Sequence, residues 1–150
     1  MTAQEVTSVP VQNVTMLETA TGNVGYMQFN DFIRPAEQQL IDAVNQFKAA
    51  GITDLVLDLR YNGGGLLAIA SQLAYMIAGP VATTGRAFEQ IEFNEKHPFF
   101  DPVTGQVLDP IPFINTAVGF SATTGLSLPV LNLSRVFVLT GSGTCSASES

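Results

Sequence analysis

Arg135-Val136-Phe137-Val138-Leu139-Thr140-Gly141-Ser142-Gly143-Thr144-Cys145-Ser146-Ala147-Ser148-Glu149-Ser150 opens as an apolar run and closes as a cluster of small polar residues. The run from Arg135 to Thr140 reads as a buried β-strand, because four apolar residues in a row suit a strand covered on both faces. Gly141 and Gly143 let the backbone turn sharply without a Cβ clash. A helix beginning near Ser148 would aim its free N–H groups and positive dipole end at an oxyanion forming beside Ser146. A nucleophile at a strand-to-helix turn has this setting.

A second segment answers the first. Leu55-Val56-Leu57-Asp58-Leu59-Arg60 is another buried-strand candidate, and it runs into Tyr61-Asn62-Gly63-Gly64-Gly65. Three successive glycines between a strand and a helix let backbone N–H groups converge on one carbonyl oxygen, as an oxyanion hole requires. Taken singly, a glycine-rich turn is as readily a tight connection or a phosphate cradle, and a Ser/Ala/Ser cluster a helix cap. In this order the two segments reinforce each other.

At these residues the chain resembles the S41 family of serine peptidases, the tail-specific or C-terminal processing peptidases. The matching stretches are Asp58-Leu59-Arg60-Tyr61-Asn62-Gly63-Gly64-Gly65, Thr144-Cys145-Ser146-Ala147-Ser148-Glu149 and the entry strand Gly25-Tyr26-Met27-Gln28-Phe29-Asn30-Asp31-Phe32. The resemblance implies an α/β domain of the ClpP/crotonase-like kind, layered and built of ββα units. It implies hydrolysis of peptide bonds near the C-terminus of protein or peptide substrates, without a metal or organic cofactor, in a periplasmic or other extracytoplasmic compartment. Ser146 would attack, and the amides of Gly64 or Gly65 and of Ala147 would hold the oxyanion. The family's base is usually a lysine about one helix and one strand after the serine. That position falls beyond Ser150, so residues 1–150 are expected to form one catalytic domain truncated at its C-terminus and inactive alone. Within it, 1–22 would be an N-terminal arm and strand and 80–133 an irregular insertion, with no PDZ domain.

Composition fits part of one enzyme domain. The chain has 150 residues, 46% of them hydrophobic, enough for a single core. Six Lys and Arg against thirteen Asp and Glu leave a net charge of −7, which disfavours nucleic acid and anionic membrane surfaces as partners. No stretch reaches the apolar length of an integral membrane segment, and Met1-Thr2-Ala3-Gln4-Glu5 lacks the pattern of a signal peptide. Cys145 is the single cysteine, so neither an internal disulfide nor a cysteine-based metal site is possible. As a thiol it competes with Ser146 for the role of nucleophile, with a small side chain packed under the elbow as the alternative.

Strand, turn and helix signals recur along the chain. Val14 to Thr19 and Val24 to Phe29 read as a hairpin. Pro35 suits a first helical turn, Leu40, Ile41, Val44 and Phe47 share one helical face, and Gly51 ends it. A second helix presents Ala70, Leu73, Ala74 and Ile77 and stops before Pro80. Phe88 to Phe93 alternates like an exposed strand, after which His97-Pro98, Asp101-Pro102, Asp109-Pro110 and Ile111-Pro112 interrupt regular structure. Phe93, Phe99, Phe100, Phe113 and Phe120 would either line a peptide channel or pin this segment to the body.

A serine hydroxyl needs a base to attack at neutral pH. The chain offers Lys48, Lys96 and His97, all in settings that read as exposed, and none matches the family position. Asp58 and Arg60 stand together at a strand end, where pairing with each other is favoured over bracing the glycine loop. Two other classes share the fold and geometry: a non-catalytic peptide- or lipid-binding module, and a crotonase-like acyl-thioester enzyme that needs no serine nucleophile.

Overall fold

Val11–Thr19 (β1) and Gly22–Phe29 (β2) form the expected hairpin, antiparallel from Thr19 opposite Gly22 to Val11 opposite Phe29, with a bulge between Gln12 and Thr15. The computed structural model describes residues 8–150; residues 1–7, the first part of the expected N-terminal arm, lie outside the described residues. Ala36–Ala49 (α1) follows with Pro35 at its N-cap, and the stripe Leu40, Ile41, Val44 and Phe47 is buried. Its end is a Schellman motif: Gly51, at φ +61, donates to the Lys48 carbonyl and Ile52 donates to that of Phe47.

The helix returns the chain to Asp54–Asp58 (β3), which lies parallel to β2. Val136–Leu139 (β6, counting two short strands described below) adds in parallel on the other side, giving the order β1-β2-β3-β6. Alternation then sorts the side chains. Met27, Phe29, Leu55 and Leu57 face the helices and are buried, whereas Val24, Tyr26, Val56 and Phe137 on the opposite face keep part of their surface in solvent. The architecture is the expected α/β one, a mostly parallel sheet with helices layered on it.

Leu67–Thr83 (α2) packs Ile69, Ala70, Leu73 and Met76 into the same core. Its helical course breaks at Gly79 (φ 76, ψ 174), and Pro80 starts one further turn, so the regular helix stops where the proline predicts. The strand expected over Phe88 to Phe93 is shorter: only Ala87–Glu89 (β4) is extended and paired, with Ile111–Pro112 (β5). Apolar alternation continues past Glu89, but no partner strand does. Between β5 and β6 the chain is held by isolated contacts, including a bridge between Thr116 and Ser127.

Glu37 anchors that irregular segment. It lies in the first turn of α1, is 1% exposed, and accepts hydrogen bonds from Gln72 Nε2 and from the backbone N–H groups of Val118, Gly119, Ser121 and Ala122. Burial pushes its carboxyl pKa up, but these donors outweigh burial and hold it at about 2. The aromatic residues divide. Phe93, Phe99 and Phe100 are exposed, Phe113 stacks edge-on against Phe88, and Phe120 packs on the core beneath the Arg34 guanidinium.

Two expectations fail at the end of the chain. The residues of β6 are not buried: Val136, Phe137, Val138 and Leu139 are 38–49% exposed, because β6 is the edge strand, hydrogen-bonded among the described residues only to β3. The helix expected near Ser148 is a single 3-10 turn, Ser146–Ser148, which starts two residues earlier. Among the described residues no helix is long and apolar enough to cross a membrane.

Candidate active site

β3 and β6 end side by side, Asp58 opposite Leu139, so the loops that leave them meet. Leu59 N–H continues the ladder to the Leu139 carbonyl at 2.8 Å. Thr144 then ties the second loop to the first: its Oγ1 donates to the Leu59 carbonyl at 2.6 Å and accepts from Gly141 N–H at 3.0 Å. The turn so formed places Ser146 at φ +57, a left-handed conformation uncommon for a residue with a Cβ and costing about 1 kcal/mol or more. The serine is exposed, whereas Ala147 behind it is buried.

The glycine loop presses against this elbow. Gly64, at φ +98, is buried, and a Cβ built on it would lie 2.5 Å from the Ser146 Cβ, 2.8 Å from the Cys145 carbonyl oxygen and 2.9 Å from the Ala147 nitrogen. Gly65, at φ +130, is backed by Phe32, whose carbonyl a Cβ there would meet at 2.5 Å. The loop is pinned by backbone bonds from Phe32 N–H to the Gly64 carbonyl and from Leu66 N–H to the Phe32 carbonyl. The structure thus brings together Ser146, Ala147, Gly64 and Gly65, which lie on segments about eighty residues apart in sequence.

The amides in this cluster are not equivalent. Gly64 N–H is taken by Asn62 Oδ1 at 2.9 Å. Among the described residues no acceptor pairs with Gly65 N–H or Ala147 N–H. Two unpaired amides beside an exposed serine can stabilise an oxygen that gains charge.

No described residue hydrogen-bonds Ser146 Oγ. Lys48 is exposed in the last turn of α1, and Lys96 and His97 are exposed in a turn closed by His97 N–H to the Asn94 carbonyl. Cys145 is not packed beneath the elbow: it is exposed, with Sγ 3.2 Å from the Gly63 carbonyl, because the turn directs the Ala147 methyl inward instead. Asp58 and Arg60 pair as expected, Nε and Nη2 of the arginine donating to the two carboxylate oxygens at 2.9 and 2.7 Å. The Arg60 guanidinium holds the buried Asp58 carboxyl well below the usual range against the opposing effect of burial, and Tyr26 hydroxyl, which donates to Oδ2 at 2.7 Å, lowers it further. The same bond pushes the Tyr26 phenol pKa up.

Sequence reasoning passed over Asn62 and Thr144. Asparagine two residues before a glycine at positive φ is the usual former of an Asx turn, and that signal was present. Thr144 carried no comparable signal. Alongside the elbow runs an apolar groove of ≈ 480 Å³ between α2 and the sheet, lined by Leu57, Leu73, Phe113, Val138, Ala147 and others.

Known proteins share this arrangement. The profile of peptidase family S41 matches residues 23–150. A carboxyl-terminal-processing protease from Picosynechococcus sp. is 41% identical over 51 residues, which cover 34% of this chain and 12% of that protein. A structure described as an S41 protease of Bacteroides fragilis NCTC 9343 superposes with a TM-score of 0.71 at 27% identity, over 97% of this chain and 36% of its own. A photosystem II D1 C-terminal processing protease superposes with a TM-score of 0.61 at 23% identity, over 97% of this chain and 33% of its own, and shares the fold. The chain therefore spans about a third of the length of these structures, and its layered α/β fold is the ClpP/crotonase-like one expected.

Proposed function

The chain belongs to peptidase family S41, and on that premise we propose that it carries the nucleophile and oxyanion site of a serine peptidase acting near the C-termini of protein substrates. One observation carries the reading: Ser146, exposed and held at φ +57, abuts Gly64 with the unpaired Ala147 N–H beside it. In this reaction Ser146 Oγ adds to the scissile carbonyl carbon and gives its proton to a base. The carbonyl oxygen takes the negative charge and is met by Ala147 N–H and an amide of the glycine loop. Collapse breaks the C–N bond, the leaving amine takes the proton back, and water then hydrolyses the acyl-serine. No step requires a metal or organic cofactor.

The base in this proposal is a lysine from outside residues 1–150, since none of Lys48, Lys96 and His97 bonds Ser146. Burial would have to lower its pKa for it to accept a proton at neutral pH. Residues 1–150 then form part of a single catalytic domain with 80–133 as an irregular insertion, and the family resemblance favours an extracytoplasmic location. A binding module would have no need of a left-handed serine beside free amides, and a thioester enzyme no need of the serine at all. The test is treatment of the protein, with its base-bearing segment, with a serine-directed phosphonate. Ser146 should be labelled, the label should survive Cys145→Ala, and it should vanish in Ser146→Ala. Labelling of Cys145, or a phosphonate-insensitive peptidase, sinks the proposal.

A further inference from the structure

Asn62 is fully buried between the glycine loop and the serine elbow, and all its polar atoms are engaged. Its Oδ1 accepts from Gly64 N–H at 2.9 Å and from Ser148 Oγ at 2.8 Å. Its Nδ2 donates to the Phe29 carbonyl at 3.0 Å, at the end of β2. Its own N–H donates to the Leu59 carbonyl at 3.0 Å, and its carbonyl accepts from Cys145 N–H at 3.4 Å and lies 3.1 Å from Ser148 Oγ. One residue therefore joins a strand end and both halves of the site.

Only an amide side chain of this length meets all these demands. Aspartate would supply the acceptor but lack the Nδ2 donor and bury a charge, and alanine would leave Gly64 N–H and Ser148 Oγ without their partner in a water-excluded place. A serine two residues after the nucleophile is thus attached to the amide acceptor that also fixes the glycine loop.

We propose that Asn62, acting through Ser148, is a positioning residue that sets the spacing between the two oxyanion donors and assigns the loop's share of that role to Gly65. Asn62 Oδ1 occupies the Gly64 N–H, so of the two candidate amides, Gly64 and Gly65, the free one is that of Gly65. The catalytic consequence rests on the serine-peptidase reading; the mechanical coupling rests on the hydrogen bonds alone. Losing the Ser148 attachment should let loop and elbow drift apart by a fraction of an ångström, enough to lower turnover without changing substrate binding.

The experiment compares Ser148→Ala, Ser148→Thr and Asn62→Asp with the unsubstituted protein, each carrying its base-bearing segment, by two measurements: kcat and KM on a peptide substrate, and exchange of the Gly64 amide hydrogen with solvent. Ser148→Ala should lower kcat about tenfold, less than outright loss of an oxyanion donor, with KM within about twofold. It should also speed Gly64 exchange about tenfold, although Ser148 is not that amide's partner. Threonine, which restores the hydroxyl, should restore both, and Asn62→Asp should retain Gly64 protection better than it retains kcat. Unchanged Gly64 exchange in Ser148→Ala, or a fall in thermal stability with kcat intact, overturns the proposal. Absence of any Ser146-dependent turnover would overturn the peptidase reading instead, and the exchange result would still decide the coupling.

Discussion

A Cβ on Gly64 would lie 2.5 Å from the Cβ of Ser146, so the glycine loop touches the proposed nucleophile with nothing between them. The Phe32 backbone holds the loop from behind on both sides of Gly65, through the Gly64 carbonyl and the Leu66 N–H. The distance between an oxyanion donor and the attacking oxygen then rests on backbone contact, trimmed by the Asn62–Ser148 hydrogen bond that ties loop to elbow.

The three glycines should separate sharply on substitution. Gly64→Ala meets Ser146, the Cys145 carbonyl and the Ala147 nitrogen at φ +98, so it should cost about 2 kcal/mol or more in stability and abolish turnover together. Gly65→Ala meets the Phe32 carbonyl and should do similar damage. Gly63→Ala has open space and no positive φ, and should stay within about 0.5 kcal/mol of the parent. Thermal melts of the three variants check this, and equal effects at Gly63 and Gly64 would refute the packing argument.

Among the small residues of the elbow, Ser146→Ala should eliminate peptidase activity, while Ser142→Ala, Cys145→Ala and Ser148→Ala each leave a measurable rate. Only one oxygen lies on the line of attack. Rates of purified variants decide it, and a lethal Cys145→Ala would transfer the nucleophile to the thiol.

Acid should loosen the segment held by Glu37. Its folded pKa of about 2 lies below the ordinary glutamate value of 4.5, so the unfolded chain binds the extra proton first as pH falls. Its stabilising contribution is complete above about pH 4.5 and is lost towards pH 2. Glu37→Gln should lower stability at neutral pH and flatten the stability profile between these values. The residual slope should come from Asp58 and Asp54, held low chiefly by arginine hydrogen bonds, and from Asp101, held low by the backbone N–H groups of Val103 and Thr104. Denaturant melts from pH 2 to 7 measure this; parallel profiles for Glu37→Gln and the parent would refute it.

The 150-residue polypeptide by itself should self-associate. The edge strand β6 exposes Phe137 and Leu139 on one face and Val136 and Val138 on the other, beside the apolar groove. An unpaired edge carrying apolar side chains favours pairing with another copy. Phe137→Lys, on the face away from the helices, should shift sedimentation towards monomer; a parent chain that is monodisperse at high concentration would contradict the argument.

What the sequence made legible is local. Pro35, the apolar stripe and Gly51 bound α1 almost to the residue, and strand-then-glycine punctuation marks the two loops that the structure brings side by side. The apolar run of β6 asks for cover on both faces, and its exposure goes with the single 3-10 turn that stands where a covering helix is expected. The role of Glu37 was not legible: an acidic residue in a first helical turn usually faces water, and the donors that hold it lie 35 to 85 residues away. Asn62 stands within the Asp58–Gly65 stretch, but its contact with Ser148 spans 86 residues of sequence.

The Glu37 clamp also orders events in time. Its donors at Val118 to Ala122 can be collected only after α1 has formed and the intervening chain has been brought back, a closure of 81 to 85 residues. Residues 118–122 are therefore late arrivals in folding and early departures in local opening, whereas the β1–β2 hairpin and α1 assemble from near neighbours. During synthesis, an emerging chain would already display a finished α1 with an unsatisfied carboxylate waiting at its first turn.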